Sequence, residues 1–267
     1  MAETAEQMTE STPASGTVHY EYPLSERMRT HLRVESLYRE LRFHLERESQ
    51  WASRSAVANL LDISAILGRG DMRGDMLKEV ERQIGVFDSY RNSPDIDQRR
   101  VNTVLNNLRE LRQALVVIGP QYLNELRESE FLNAIKHRSA IPGGTCEFDL
   151  PAFSHWLRQP YERRRNDIET WMKKLLPLCD SVSELLWLLR SRGKSHEQVA
   201  VNGVFHYGLE RGTLAGLVRI TLPAGSICFP EISGGRHRFS IRFKDWSDPV
   251  LPAKQMADNV TFDLTIC

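Results

Sequence analysis

Two periodicities divide the chain. From Leu24 onward apolar residues recur every three to four positions, and Leu24, Met28, Leu32, Leu37, Leu41 and Leu45 line one face of a first helix, with Pro23 and Ser25 as start signals. The stretch 55–67 keeps the helical pattern until Gly68 and Gly70, and Met76, Leu77, Val80, Ile84 and Phe87 mark the next helix. Asn92, Ser93 and Pro94 break the chain. Val101, Val104, Leu105, Leu108, Leu111 and Leu115 form a further stripe that Gly119 and Pro120 end, and a shorter helical piece covers 121–138.

The pattern changes at 139–151. A Pro-Gly-Gly turn precedes a short strand at 146–149 and another proline, and one strand inside a helical region joins a sheet made elsewhere. Helix resumes over 152–160 and runs from about Glu162 through Ile168, Trp171, Leu175, Leu178, Val182, Leu185 and Leu189, with Pro177 kinking or splitting it. From Val199 the period becomes two: Val201, Gly203, Phe205, Tyr207 and Leu209 alternate with more polar positions. Val218, Ile220 and Leu222 oppose Arg219, and Val260, Phe262, Leu264 and Ile266 oppose Asp263. Strands that bury one side only write an antiparallel sheet with a solvated face. The predicted class is α+β: an N-terminal mainly α-helical domain with a C-terminal antiparallel β-domain that also takes a strand from the middle of the chain. The expected boundaries are a disordered acidic tail over 1–16, helical domain over 17–138 and 151–192, a turn and strand over 139–150 lent to the β-domain, and the β-domain proper over 193–267.

The period-two region contains one charged row. In 236-RHRFSIRFK-244, Arg236, Arg238, Ser240, Arg242 and Lys244 share a face, with His237, Phe239, Ile241 and Phe243 on the other. Such a row is either a solvated face, with Asp263 or Glu231 pairing across strands, or a recognition surface for an anionic partner, and Arg219 on another strand is a candidate neighbour. Arginine predominance favours recognition, because a planar guanidinium grips a carboxylate with two hydrogen bonds.

Composition narrows the setting. Lys+Arg and Asp+Glu both total 35, so any electrostatic function is local, not a global pull toward nucleic acid or anionic membrane. The longest apolar runs, such as 114–118, fall far short of the roughly 18 residues of a membrane span. Residues 1–16 carry three glutamates and no lysine or arginine, unlike a signal peptide. Cys146, Cys179, Cys228 and Cys267 form no close pair, which fits a reducing cytoplasm. The histidines show no metal-ligand spacing, no phosphate loop occurs, and Cys146 near His155 has nothing to activate a thiolate. No catalytic residue, metal or cofactor is predicted.

Several separated segments then fit one family. From 20-YEYPLSERMRTHLRVE-35 through 73-RGDMLKEVERQ-83, 139-SAIPGGTCEFDLPAFSHWL-157 and 168-IETW-171 to 201-VNGVF-205 and 229-FPEISGGRHRFSIRF-243, the chain resembles the ZapD family of cell-division proteins over about 17–267. The resemblance implies a non-enzymatic cytoplasmic homodimer, acting at the mid-cell division ring, that binds the tubulin-like GTPase FtsZ and cross-links its filaments. It further implies a basic pocket for the C-terminal peptide of FtsZ, whose arginines match Arg69, Arg238 and Arg242, with Arg236 at a neighbouring basic position. A second, bundling surface transfers in part. Its helix-one arginine matches Arg33, while another basic position falls on Glu130 and a histidine position on Ser154, beside His155; Lys136 and Arg138 are alternative sources of charge. The rival reading is a nucleic-acid-binding module on the basic strand face, opposed by zero net charge and the lack of a base-stacking aromatic on that face. Neither nucleic acid nor membrane is an expected partner.

Overall fold

The computed structural model describes all residues except 1–15, 92, 94, 95, 211–214 and 249, so the expected tail, apart from Gly16, lies outside the described residues, as do Asn92 and Pro94. Two compact units result, one formed by the N-terminal residues up to Leu32 with Leu186–Cys267, the other by Arg33–Leu185.

The second unit is helical. It holds α2 (Gln50–Leu67), α3 (Met72–Ser89), α4 (Gln98–Ile118), α5 (Asn124–Glu128), α6 (Glu130–Ser139), α7 (Pro151–Leu157) and α8 (Tyr161–Met172), with most of α1 (Glu26–Leu45) and the first part of α9 (Leu176–Arg192). Side chains cap the starts: Ser49 accepts from Trp51 N, Asp71 from Gly74 N, Asp97 from Arg99 N and Arg100 N, and Ser129 from Leu132 N. The stripes hold in part: Leu60, Ile63, Leu67, Met76, Leu105, Leu108 and Leu115 are fully buried, but on α1 the buried face is Val34, Tyr38 and Leu41, while Met28, Leu32, Leu37 and Leu45 of the expected stripe are only partly buried. Pro177 splits the long helix expected after Glu162 and stands in the first turn of α9, where its missing N–H costs no hydrogen bond.

The strand expected at 146–149 is absent. That stretch is a succession of turns, in which Gly144 N donates to Ile141 O, Cys146 N to Gly143 O and Asp149 N to Cys146 O. Gly143 takes φ 74°, a left-handed conformation, and a Cβ on Gly144 would meet Arg138 O at 2.4 Å, so the glycines wind the chain back on itself. Phe148 is left 84% exposed.

The first unit is the β-unit. Its sheets are wholly antiparallel: β1 (Thr17–Pro23), β4 (Leu217–Pro223), β7 (Val260–Ile266) and β2 (Lys194–Ala200) lie in the order β1-β4-β7-β2, and β3 (Val204–Gly208), β6 (Arg238–Asp245) and β5 (Cys228–Gly234) in the order β3-β6-β5. The class is α+β, with a helical N-terminal region and an antiparallel C-terminal one, and the larger sheet includes the mid-chain strand β2 and one strand from the N-terminal end. That strand is β1, in a region expected to be helical. Val18, Tyr20 and Tyr22 alternate with His19 and Glu21, and Leu24, read as a helix position, belongs to the sheet core. One core joins the inner faces of both sheets, built from Val218, Ile220, Leu222, Val260, Phe262 and Leu264 on one side and Phe239, Ile241 and Phe243 on the other.

Candidate partner-binding face

Strand β6 is central in its sheet, and its burial alternates as its sequence predicts. Phe239, Ile241 and Phe243 are buried, whereas Arg238 and Arg242 are exposed. Burying each of the three apolar side chains contributes about 1.5–3 kcal/mol, so the strand is a firm platform whose outward arginines carry none of the core. Arg236 and His237 sit in the turn that enters β6, not on the strand, and His237 is exposed, which corrects its assignment to the apolar face. The turn is tight. Gly235 N donates to Arg238 O at 2.9 Å, and Gly234 has φ 137°, where a Cβ would lie 2.4 Å from Arg238 O and 2.5 Å from Phe239 Cα. Only glycine fits there.

The register defines the outward face. Arg238 stands opposite Gly208, Ser240 between His206 and Ser233, Arg242 between Val204 and Glu231, and Lys244 opposite Phe229. Glu231 engages Lys244 at 3.5 Å, although Arg242 is its direct neighbour. Arg236, Arg238 and Arg242 have no ion-pair partner among the described residues. Arg238 and Arg242 are four residues apart, about 13 Å along a strand. In water their repulsion is about 0.3 kcal/mol, so the row is stable unliganded, and two guanidiniums remain free to bind a carboxylate.

Arg219 is not part of this face. It lies on β4 in the other sheet, where Glu21 accepts hydrogen bonds from Arg219 Nε and Nη2 at 3.0 and 2.7 Å and from Arg190 Nε and Nη2 at 2.8 and 2.7 Å. Burial pushes the Glu21 carboxyl up, but the hydrogen bonds and charges of the two guanidiniums outweigh it and hold the carboxyl below its ordinary value. Asp263, the other expected cross-strand partner, is on β7, in the sheet that does not contain β6.

The remaining candidates lie in the helical unit. Arg69 is exposed in the turn between α2 and α3, its N–H bonded to Ile66 O at 3.1 Å. Arg33 is exposed on α1, and His155 is exposed on α7, its ring nitrogen 3.0 Å from Gln159 Nε2. Arg138, one alternative source of charge, is paired with Asp149 at 3.3 Å. Glu35, near Arg33 in sequence, pairs with Arg39 at 3.1 Å instead. Among the described residues no group of three or more potential metal-binding side chains occurs, and no helix is long and apolar enough to cross a membrane.

The basic face stops at Lys244 in the sequence reading, but the ladder continues. Trp246 N donates to Ile227 O at 2.7 Å, which extends the β5–β6 register by one pair and sets Trp246 and Ile227 on the outward face beside Phe229 and Lys244. Carrying the two-residue period one step beyond Lys244 would have found Trp246, which with Phe229 corrects the expectation that this face lacks an aromatic able to stack on a base.

Comparison with known proteins finds one family over most of the chain. Residues 32–242 match the family model ZapD, described as a cell division protein. A protein of Dechloromonas aromatica named Cell division protein ZapD is 36% identical over 250 residues, 94% of this chain and 99% of the relative. Proteins of the same name from Methylococcus capsulatus and Ralstonia pickettii are 35% and 36% identical, covering 93% of this chain in each case and 97% and 98% of the relatives. A family match across most of the chain, together with relatives aligned nearly end to end, makes this chain a member of the ZapD family of cell division proteins.

Proposed function

We propose that the chain binds FtsZ through that protein's C-terminal peptide at the outward face of β6, and that as a homodimer it cross-links FtsZ filaments in the cytoplasm at the division ring. The observation that carries this reading is the pair Arg238 and Arg242, exposed and, among the described residues, without ion-pair partners on a strand whose opposite side is core. Arg236 flanks them in the turn. Arg69, and Arg33 with His155 as a bundling surface, enter the reading on the family resemblance alone.

Valency supplies the mechanism. A single peptide contact is weak, but a dimer with two sites meets a filament displaying one tail per subunit, so the second attachment is intramolecular and favoured by local concentration. No step makes or breaks a covalent bond in this chain, and nucleotide turnover belongs to the partner. Sedimentation with polymerised FtsZ tests the reading: the chain is expected in the pellet with full-length FtsZ and in the supernatant with FtsZ lacking its C-terminal peptide. Equal pelleting with both would overturn it. Binding of duplex DNA by the same face, with FtsZ ignored, would return the nucleic-acid reading.

A further inference from the structure

The outward face of the β3-β6-β5 sheet is graded along its length. At one end it offers guanidiniums, at the other exposed apolar side chains. Trp246 is 56% exposed and Ile227 61%, although each is large and apolar, and they form consecutive rungs of the ladder with Phe229. Phe229 and Trp246 meet edge to face with ring centroids 5.8 Å apart, so the aromatic surface is fixed in place before any partner arrives. The cluster adjoins the charge directly: Phe229 is opposite Lys244, and Arg242 is the next outward residue of β6. Same-face neighbours on a strand are about 7 Å apart, so Arg242 lies about 7 Å from the Phe229 rung and about 13 Å from the Trp246 rung.

We propose that Ile227, Phe229 and Trp246 form an apolar subsite that receives a bulky apolar side chain of the same acidic peptide whose carboxylate is held by Arg242. This rests on the reading that the β6 face takes an acidic peptide, and adds to it the register and composition of the ligand. An extended peptide laid along β6 advances about 3.3 Å per residue, so the carboxylate and the apolar side chain are two to four residues apart in the ligand. Charge complementarity selects this occupant, because the apolar cluster is continuous with Arg242 and Lys244. A cluster of three side chains is also well short of the roughly 800 Å² per partner of a standard protein–protein interface, which suits a peptide better than a second copy of the chain. The apolar group supplies desolvation, the guanidinium supplies orientation, and the two together distinguish this ligand from a merely acidic chain such as a polyglutamate stretch.

The test uses the full chain and two labelled probes: the C-terminal peptide of FtsZ, and a twin in which every bulky apolar residue is replaced by serine. Anisotropy titrations are run on wild type, Arg242→Glu, Trp246→Ser and Ile227→Ser, each checked by a circular-dichroism melt. Trp246 and Ile227 are more than half exposed, so their serine variants are expected to fold as wild type does. The proposal predicts that the twin binds wild type at least about tenfold more weakly than the native peptide, and that Trp246→Ser loses a similar factor toward the native peptide while binding the twin as wild type does. If the native peptide binds, Arg242→Glu abolishes binding, and neither the twin nor the serine variants differ from their references, the apolar subsite is wrong and the peptide reading stands. If wild type binds neither peptide, both fall.

Discussion

Two arginine-bearing sheet faces occur in the β-unit, and they treat the charge in opposite ways. On the larger sheet Arg219, joined by Arg190 of α9, closes on Glu21, with side chains 23% and 14% exposed, and the carboxylate takes four hydrogen bonds. On the smaller sheet Arg238 and Arg242 are exposed, and Glu231, the carboxylate opposite Arg242 in the register, is engaged with Lys244. A partly buried guanidinium without a counter-charge is costly, so the structural arginines have one built in. An exposed guanidinium has no such need. The difference separates arginines that hold the fold from arginines that remain available to a partner, and it does so by pairing and burial instead of by residue type.

The largest expected effect is functional. The double variant Arg238→Glu/Arg242→Glu should lose co-sedimentation with FtsZ filaments altogether, because removing one partner of a desolvated charge pair costs about 2–5 kcal/mol and reversal adds repulsion. Its melting temperature should match wild type. A drop of several degrees would show that the two side chains support the fold, and would erase the contrast with Arg219.

Next in size is Glu21→Gln, which leaves two guanidiniums facing each other. Breaking a buried pair costs about 3–5 kcal/mol, and the residual exposure reduces this to about 2 kcal/mol, or roughly 4–8 °C in Tm for a chain of this size. Thermal melts check it, and an unchanged Tm would mean that Glu21 contributes nothing to the fold. The same variant gives a pH signature. A carboxyl held below its ordinary value of 4.5 contributes stability that is present above that value and lost as pH falls through its lower folded value. The Tm gap between wild type and Glu21→Gln should therefore be widest near neutrality and narrow in acid, below about pH 4.5. A gap that widens in acid would reverse the assignment.

The smallest effect sharpens the other face. Glu231→Gln removes a partly exposed ion pair with Lys244, worth tenths of a kcal/mol, so Tm should move by less than about 2 °C. It also removes the carboxylate opposite Arg242 in the register, so capture of an acidic peptide should tighten about two- to threefold in titration calorimetry. Weaker capture would place Glu231 among the contacts.

The alternation at β6 was legible because its inner side is buried and its outer side is not, which the sequence writes directly as Phe-Ser-Ile-Arg-Phe. Trp246 is not legible in the same way, because a turn-like Asp-Trp-Ser-Asp-Pro stretch follows the charge at Lys244 while the ladder continues one pair past it. The pairing of Arg219 could not be read locally, since Glu21 is 198 positions away and arrives through β1. That strand itself does alternate, as Val18, Tyr20 and Tyr22 against His19 and Glu21, but Pro23, its last residue, and Ser25 just beyond it also read as helix-start signals. Conversely, 146–149 has strand-like composition, yet four residues beside two glycines form turns more readily than a ladder.

The most direct test of the central claim compares single variants of the two faces in one experiment: anisotropy of labelled FtsZ C-terminal peptide, with a melt of each sample, for wild type, Arg242→Glu and Glu21→Gln. The account predicts a double dissociation. Arg242→Glu weakens binding thirtyfold or more at unchanged Tm, a loss of about 2 kcal/mol, while Glu21→Gln lowers Tm by several degrees at unchanged affinity. Equal affinity of wild type and a folded Arg242→Glu would contradict it, leaving the β6 row as ordinary solvated charge.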